Sequence, residues 1–176
     1  MIFRVGKPRS KARSAGRDLY AAAVRQSRAV DLYQVLGAPD TTEGHFELLT
    51  LHVILLIEGL RALGPAARSS SQALFDTYVS DLDGALREMG VGDLTVGKRM
   101  RALGRAFYGR AIAYREALEA LPEREPLEAV IGRTVMGGQV NSNPTALAAY
   151  VTHCHDALTA RDAENLLETP PRWPSV

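Results

Sequence analysis

A single cysteine, Cys154, rules out any disulfide within the chain and fits a reducing compartment. Aromatic residues are sparse at 6%, and runs of β-branched residues are scarcer still, so no stretch reads as a buried parallel strand. Long apolar runs are also missing. The most apolar segment, LLTLHVILLI from Leu48 to Ile57, is about half of what a bilayer span requires, and it reads as a core helix that is apolar nearly all round. Charge of one sign is not in excess: the net charge is +1, so local clusters matter more than the whole-molecule field. The N-terminus, MIFRVGKPRSKARSAGR, has no acid and no apolar run of secretory-signal length. Residues 1–13 are expected to form a solvated basic arm, with a short mitochondrial leader as the alternative.

What is present is helical periodicity. The 176 residues suffice for one domain with a sizeable core, and Ala, Leu, Arg and Glu dominate. The pattern predicts an all-α bundle of about six helices over residues 14–168, followed by a surface tail, TPPRWPSV, over 169–176. A first helix is expected from about Ser14 to Leu36. A second is capped by Asp40, with Glu43 three residues on, and ends near Gly64-Pro65. A third begins near Ser69 with Phe75, Val79, Leu82, Leu86 and Met89 on one face. A fourth starts after Asp93 or Thr95 and carries Val96, Met100, Leu103, Phe107, Tyr114 and Leu118. A fifth follows Pro126, and Asn143 caps a sixth with Pro144 at its first position.

Between the third and fourth helices lies GVGDLTVGKR. Its stretch from Gly92 to Lys98 has phosphate-loop spacing, but Arg99 stands where Ser or Thr would hold magnesium, and the preceding residues have a helical period rather than a strand. The stretch therefore reads as a corner: Gly90 ends one helix in the left-handed conformation, Gly92 marks the fold-back, and Asp93 caps the next helix.

The helices flanking this corner carry opposite charge. Asp76, Asp81, Asp83, Glu88 and Asp93 stand against Arg87 alone, whereas Lys98, Arg99, Arg101, Arg105, Arg110 and Arg115 come with no acid between them. Cations in the first turns of a helix oppose its dipole, typically by a few tenths of a kcal/mol. Compensation is expected from the acidic helix or from an anionic partner. Arg110 falls on the apolar face and needs a mate; counting levels about Gly92 assigns Asp76. Asp83 and Arg87 are spaced for an i,i+4 pair.

Catalytic patterns are weak. No acid stands three residues before a histidine, which leaves a di-iron site unsupported, and no Gly-x-Ser-x-Gly occurs. His153 and His155 diverge by about 200° on a helix and cannot share a metal. His52 is expected to be a satisfied core histidine and Cys154 an inert thiol. No metal or cofactor is expected. Aspartates 76, 81 and 83 are the only candidates for an enzyme reading, which ranks last. The interleaved cations and aromatics of KRMRALGRAFYGRAIAYR, Tyr108 among them, suit a polypeptide or anionic partner better than RNA.

Three stretches, YQVLGAPDTTEGHFELLTLHV, QALFDTYVSDLDGALREMGVGDLTVGKRMR and AFYGRAIAY, together resemble the ubiquinol–cytochrome c chaperones, assembly factors of the respiratory ubiquinol–cytochrome c reductase. The corner LREMGVGDLTVGKRM is the most specific part of the likeness. The resemblance implies an all-helical, non-enzymatic protein that supports biogenesis of cytochrome b. It further implies work at the bacterial inner-membrane surface from the cytoplasm, or on the matrix side in mitochondria, where relatives act with a small partner protein near the ribosomal tunnel exit. Two departures stand out: His45 after Gly44, where the family often has Arg, and Thr134 after Arg133, where Asn is common. Lys98, Arg99, Arg101, Arg105, Tyr108, Asp81, Glu88 and Asp93 are the residues expected to meet the partner. Asp76, Arg110, Gly90, Gly92, Asp40, Asp83 and Arg87 are expected to hold the fold. An RNA- or ribosome-binding helical module is the alternative.

Overall fold

The computed structural model describes residues 8–138, 143–160, 166–169 and 171–176. Among them run seven α-helices and no strand: α1 Pro8–Ser27, α2 Val30–Gln34, α3 Thr42–Ala62, α4 Arg68–Glu88, α5 Asp93–Glu119, α6 Glu125–Arg133 and α7 Thr145–Thr159. A 3-10 turn, Gly64–Ala67, links α3 to α4. The all-α expectation holds. The helix count differs by one because the first expected helix is two: Ser27 bonds its hydroxyl back to the Val24 carbonyl at 3.1 Å, the Tyr33 hydroxyl donates to the Ser27 carbonyl at 2.6 Å, and Ala29 is extended. Those bonds satisfy groups that a continuous helix would use. The same helix starts at Pro8 rather than Ser14, so Lys11 and Arg13 of the expected arm are helical.

The apolar run behaves as its sequence dictates. Leu48, Leu51, Val53, Ile54, Leu55, Leu56 and Leu60 are all buried, and α3 is the central helix, touched by α1, α4, α5 and α7. No helix among the described residues is long and apolar enough to cross a membrane. His52 is fully buried within this run; its Nδ1 donates to the Leu48 carbonyl at 2.7 Å and its Nε2 accepts from the Tyr150 hydroxyl at 3.0 Å. Burial pushes its pKa down to about 4, which keeps it neutral and structural. Cys154 is buried on α7 next to Tyr150, with its thiol pushed up to about 12 by burial. The tail has exposed residues at Thr169, Arg172, Ser175 and Val176, but Trp173 turns inward: it is half-buried and meets the His52 ring edge-on at 5.0 Å.

Helix ends follow local chemistry with three corrections. Asp40 does not cap α3. Thr41 does, its hydroxyl accepting from the Gly44 amide at 3.1 Å, while Asp40 is drawn to His45 Nε2 at 2.6 Å. Likewise Asp93 does not cap α5. Gly92 occupies that position without a side-chain bond, and Asp93, at the first helical residue, pairs with Arg87. Asn143 accepts from the Thr145 amide at 3.1 Å but stands one residue ahead of the cap: Pro144, expected at the first helical position, is itself the N-cap of α7.

The corner itself is as read. Gly90 has φ +77, its amide donates to the Arg87 carbonyl at 2.9 Å, and the Val91 amide reaches the Leu86 carbonyl at 3.1 Å. These two bonds form a Schellman closure. A Cβ on Gly90 would meet nothing within 4 Å, so only the backbone resists substitution. Gly90→Val is expected to lose about 1–2 kcal/mol, the usual left-handed penalty, read as a lower urea midpoint at unchanged slope.

Candidate docking surface

α4 and α5 form a hairpin about that corner, and their charges do not meet as the sequence suggested. Asp81 accepts from the Tyr20 hydroxyl of α1 at 2.6 Å, and Asp76 accepts from Gln72 at 2.7 Å. Asp83 takes Arg87 at 2.7 Å, the expected i,i+4 pair, and Asp93 joins the same arginine. Asp76, Asp81 and Glu88 line a polar groove against Arg13 and Arg17 of α1. None of these acids reaches a cation of α5.

Two of the α5 cations turn inward instead. Arg110 pairs with Glu47 of α3, not with Asp76: its Nε donates to one carboxylate oxygen at 2.7 Å and a terminal nitrogen to the other, a bidentate clamp. Counting levels along a two-helix hairpin fails here because α3 offers a closer carboxylate than α4 does. Arg115 donates twice to Glu58, at 3.0 and 2.8 Å, and Glu58 is only 3% exposed. Arg61 adds a bond to Glu58 at 2.7 Å and one to Glu119 at 3.0 Å. Neither Glu47 nor Glu58 was singled out by sequence, although the signal was there: two carboxylates eleven residues apart fall on one stripe of an otherwise apolar helix. Arg110→Leu is expected to cost about 2 kcal/mol, with much of it recovered by adding Glu47→Leu, while Asp76→Ala stays within about 0.5 kcal/mol. A double-mutant cycle in denaturant reads all three.

The remaining cations stay outside. Lys98, Arg99, Arg101 and Arg105 are exposed, and none has an ion pair among the described residues. Lys98, Arg101, Arg105, Tyr108 and Ile112 repeat at alternating spacings of three and four, which places them on one stripe of α5. The last two are large hydrophobics left 60% and 53% exposed. Met89, expected on the apolar face of α4, is also out in solvent, at 68%. The stripe therefore passes from cationic to apolar along one helix, with nothing among the described residues covering it.

The comparisons with known proteins bear on what such a surface serves. Residues 34–173 match the Ubiquinol-cytochrome C chaperone family. The chain belongs to this family. The match takes in α3 to α7 and the whole hairpin. The chain is 22% identical over 161 residues to ubiquinol-cytochrome-c reductase complex assembly factor 1 of Xenopus laevis, covering 90% of this chain and 80% of that protein. It is also similar to the crystal structure of the Cbp3 homolog from Brucella abortus, at 33% identity, a TM-score of 0.81, and coverage of 98% and 97% of the two chains. Within this chaperone fold the two family departures have local partners. His45 stacks on Tyr33 at 4.8 Å and pairs with Asp40, and the Thr134 hydroxyl lies 2.7 Å from the Tyr114 hydroxyl. No group of His, Cys, Asp and Glu that could hold a metal occurs among the described residues.

Proposed function

We propose that this chain is a non-enzymatic assembly factor that engages cytochrome b, or a protein that accompanies it, through the outer stripe of α5 during construction of ubiquinol–cytochrome c reductase. Family membership supports the assembly role. One observation supports the surface: four cations, Lys98, Arg99, Arg101 and Arg105, stand exposed in the N-terminal half of α5 with no acid paired to them among the described residues. A partner that brings carboxylates to these positions and an apolar face to Tyr108 and Ile112 relieves both liabilities at once. The site of action on this reading is a membrane surface, reached peripherally.

The test is charge reversal of Lys98, Arg99 and Arg101 to Glu. Because all three are exposed and unpaired, stability is expected to shift by under about 0.5 kcal/mol per site. Association with cytochrome b slows and loses its salt dependence, since rim charges act mainly on encounter. In cells, assembled reductase and cytochrome b fall while the chaperone's own level holds. Normal reductase levels with the folded variant exclude this surface. Salt-sensitive binding of unrelated RNAs that disappears in the variant favours the ribosomal alternative instead.

A further inference from the structure

Beside the outer stripe, a groove runs between α4 and α5 over α3. Its wider part, about 520 Å³, has Ile57, Leu60, Phe75, Phe107 and Ala111 among its walls, and its charged lining consists of Arg61, Arg68 and Arg115 with no carboxylate. A second cavity of about 230 Å³ shares Phe75, Phe107 and Tyr108 with the first and continues between Leu82 and Leu103 with no charged residue in its lining. Phe75 stands 5.0 Å from Phe107 and 5.8 Å from Tyr108, so the three rings form the junction. The groove is thus cationic at one end and apolar along the rest. Glu58 and Glu119 balance Arg61 and Arg115, whereas Arg68 has no ion pair among the described residues. One positive charge at the mouth is left over.

We infer that this groove binds one acyl chain of an anionic phospholipid, with the head group at Arg68. Three features favour lipid over polypeptide. Every peptide unit of an extended segment carries a donor and an acceptor that must be satisfied when buried, and beyond Ser71 and Gln72 at the cationic end the walls offer almost nothing polar. The charge sits at one end only, as in an amphiphile with a single head. The length also fits: from Arg68 to Leu82 α4 rises about 21 Å at 1.5 Å per residue, enough for a chain that spans one leaflet, about half of a 30 Å hydrocarbon core. The volume of the wider part lies within the range of small-molecule sites. The groove holds the protein at a bilayer by a lipid rather than by an inserted helix, and it uses residues other than the outer cations of α5.

The test uses the full chain and lysophosphatidylglycerol below its micellar concentration, read by native mass spectrometry and titration calorimetry, with lysophosphatidylcholine of equal chain length as the uncharged-head comparison. A one-to-one complex is expected, at least about tenfold tighter for the glycerol head. Ala111→Trp, which fills the groove, is expected to weaken it at least about tenfold, and so is Arg68→Glu, an exposed change that spares the fold. Reversal of Lys98, Arg99 and Arg101 leaves it within about twofold, so failure here is separate from failure of the client surface. Vesicles of phosphatidylcholine with and without phosphatidylglycerol then follow the same ranking. Three results overturn the inference: no stoichiometric complex, binding that survives both groove variants but not the triple reversal, or a groove that takes an acidic amphipathic peptide and refuses the lipid.

Discussion

Arg115→Leu is expected to lower the unfolding free energy by about 3 kcal/mol, the low end of the range for breaking a buried ion pair. Glu58 lies on the central helix with 3% of its side chain exposed, and it is held by two bonds from Arg115 and one from Arg61. Removing Arg115 strips away the larger share and leaves a carboxylate in an apolar setting with a single partner. The cost stays at the low end because Arg61 remains in place. Adding Glu58→Leu to the Arg115→Leu background removes the stranded charge, so most of the loss is expected to return; Arg61 still has Glu119 and is 53% exposed. Urea unfolding of the two single variants and the double measures this directly. A loss below about 0.5 kcal/mol for Arg115→Leu contradicts it, since that is the scale of an exposed pair.

Gly16→Ala is the second large effect, and its sign is set by a contest. In an exposed helix interior this change gains about 1 kcal/mol from propensity. Here α1 packs most extensively on α4, and an alanine Cβ at position 16 stands 2.6 Å from the Ala73 carbonyl carbon and 2.7 Å from the Leu74 nitrogen. Both are backbone atoms, so no side chain can swing aside, and the two helices must separate. Overpacking of this kind costs about 1–3 kcal/mol or more. A net loss of about 2 kcal/mol is expected, which lowers the melting temperature by roughly 4–8 °C for a chain of this size. A melting temperature equal to or above that of the parent shows that the helices sit farther apart than the contact distances state. Separating α1 from α4 also loosens the bond from Tyr20 to Asp81, so the polar groove between them is expected to change with it.

The sequence exposed those features that a few adjacent residues encode. The Gly90 corner was legible because a Schellman ending needs only a glycine and its helical neighbours. The core helix was legible because a run apolar on every side has no stable place except the interior. Where the outcome depended on which of several side chains, near or far, wins a polar group, periodicity and spacing do not decide it. Asp40 and Thr41 are both good caps, and only the presence of His45 one turn on draws the aspartate away. The break after Ser27 depends on a tyrosine hydroxyl six residues later. Arg110 was rightly seen to need a partner, but its mate comes from a third helix that no two-helix count includes. The same limit affects the surface. The cations of α5 were visible as a run, yet only the packed structure separates Arg110 and Arg115, which serve the fold, from Lys98, Arg99, Arg101 and Arg105, which are exposed and have no ion pair among the described residues. Tyr108 and Ile112 join the outer stripe for the same geometric reason, since helical spacing aligns them and burial of their neighbours leaves them out.

Site-specific photocross-linking tests the docking claim most directly. A photoreactive residue is placed at Arg105 or Ile112 on the outer stripe of α5, and in parallel at Glu43 on the exposed side of the segment that begins α3. Newly synthesised cytochrome b is then followed in cells. The account predicts cytochrome b adducts from Arg105 and Ile112, reduced when Lys98, Arg99 and Arg101 are reversed to Glu in the same chain, and few from Glu43. Adducts from Glu43 with none from either α5 position contradict it, and they move the client surface to the Asp40–His52 segment.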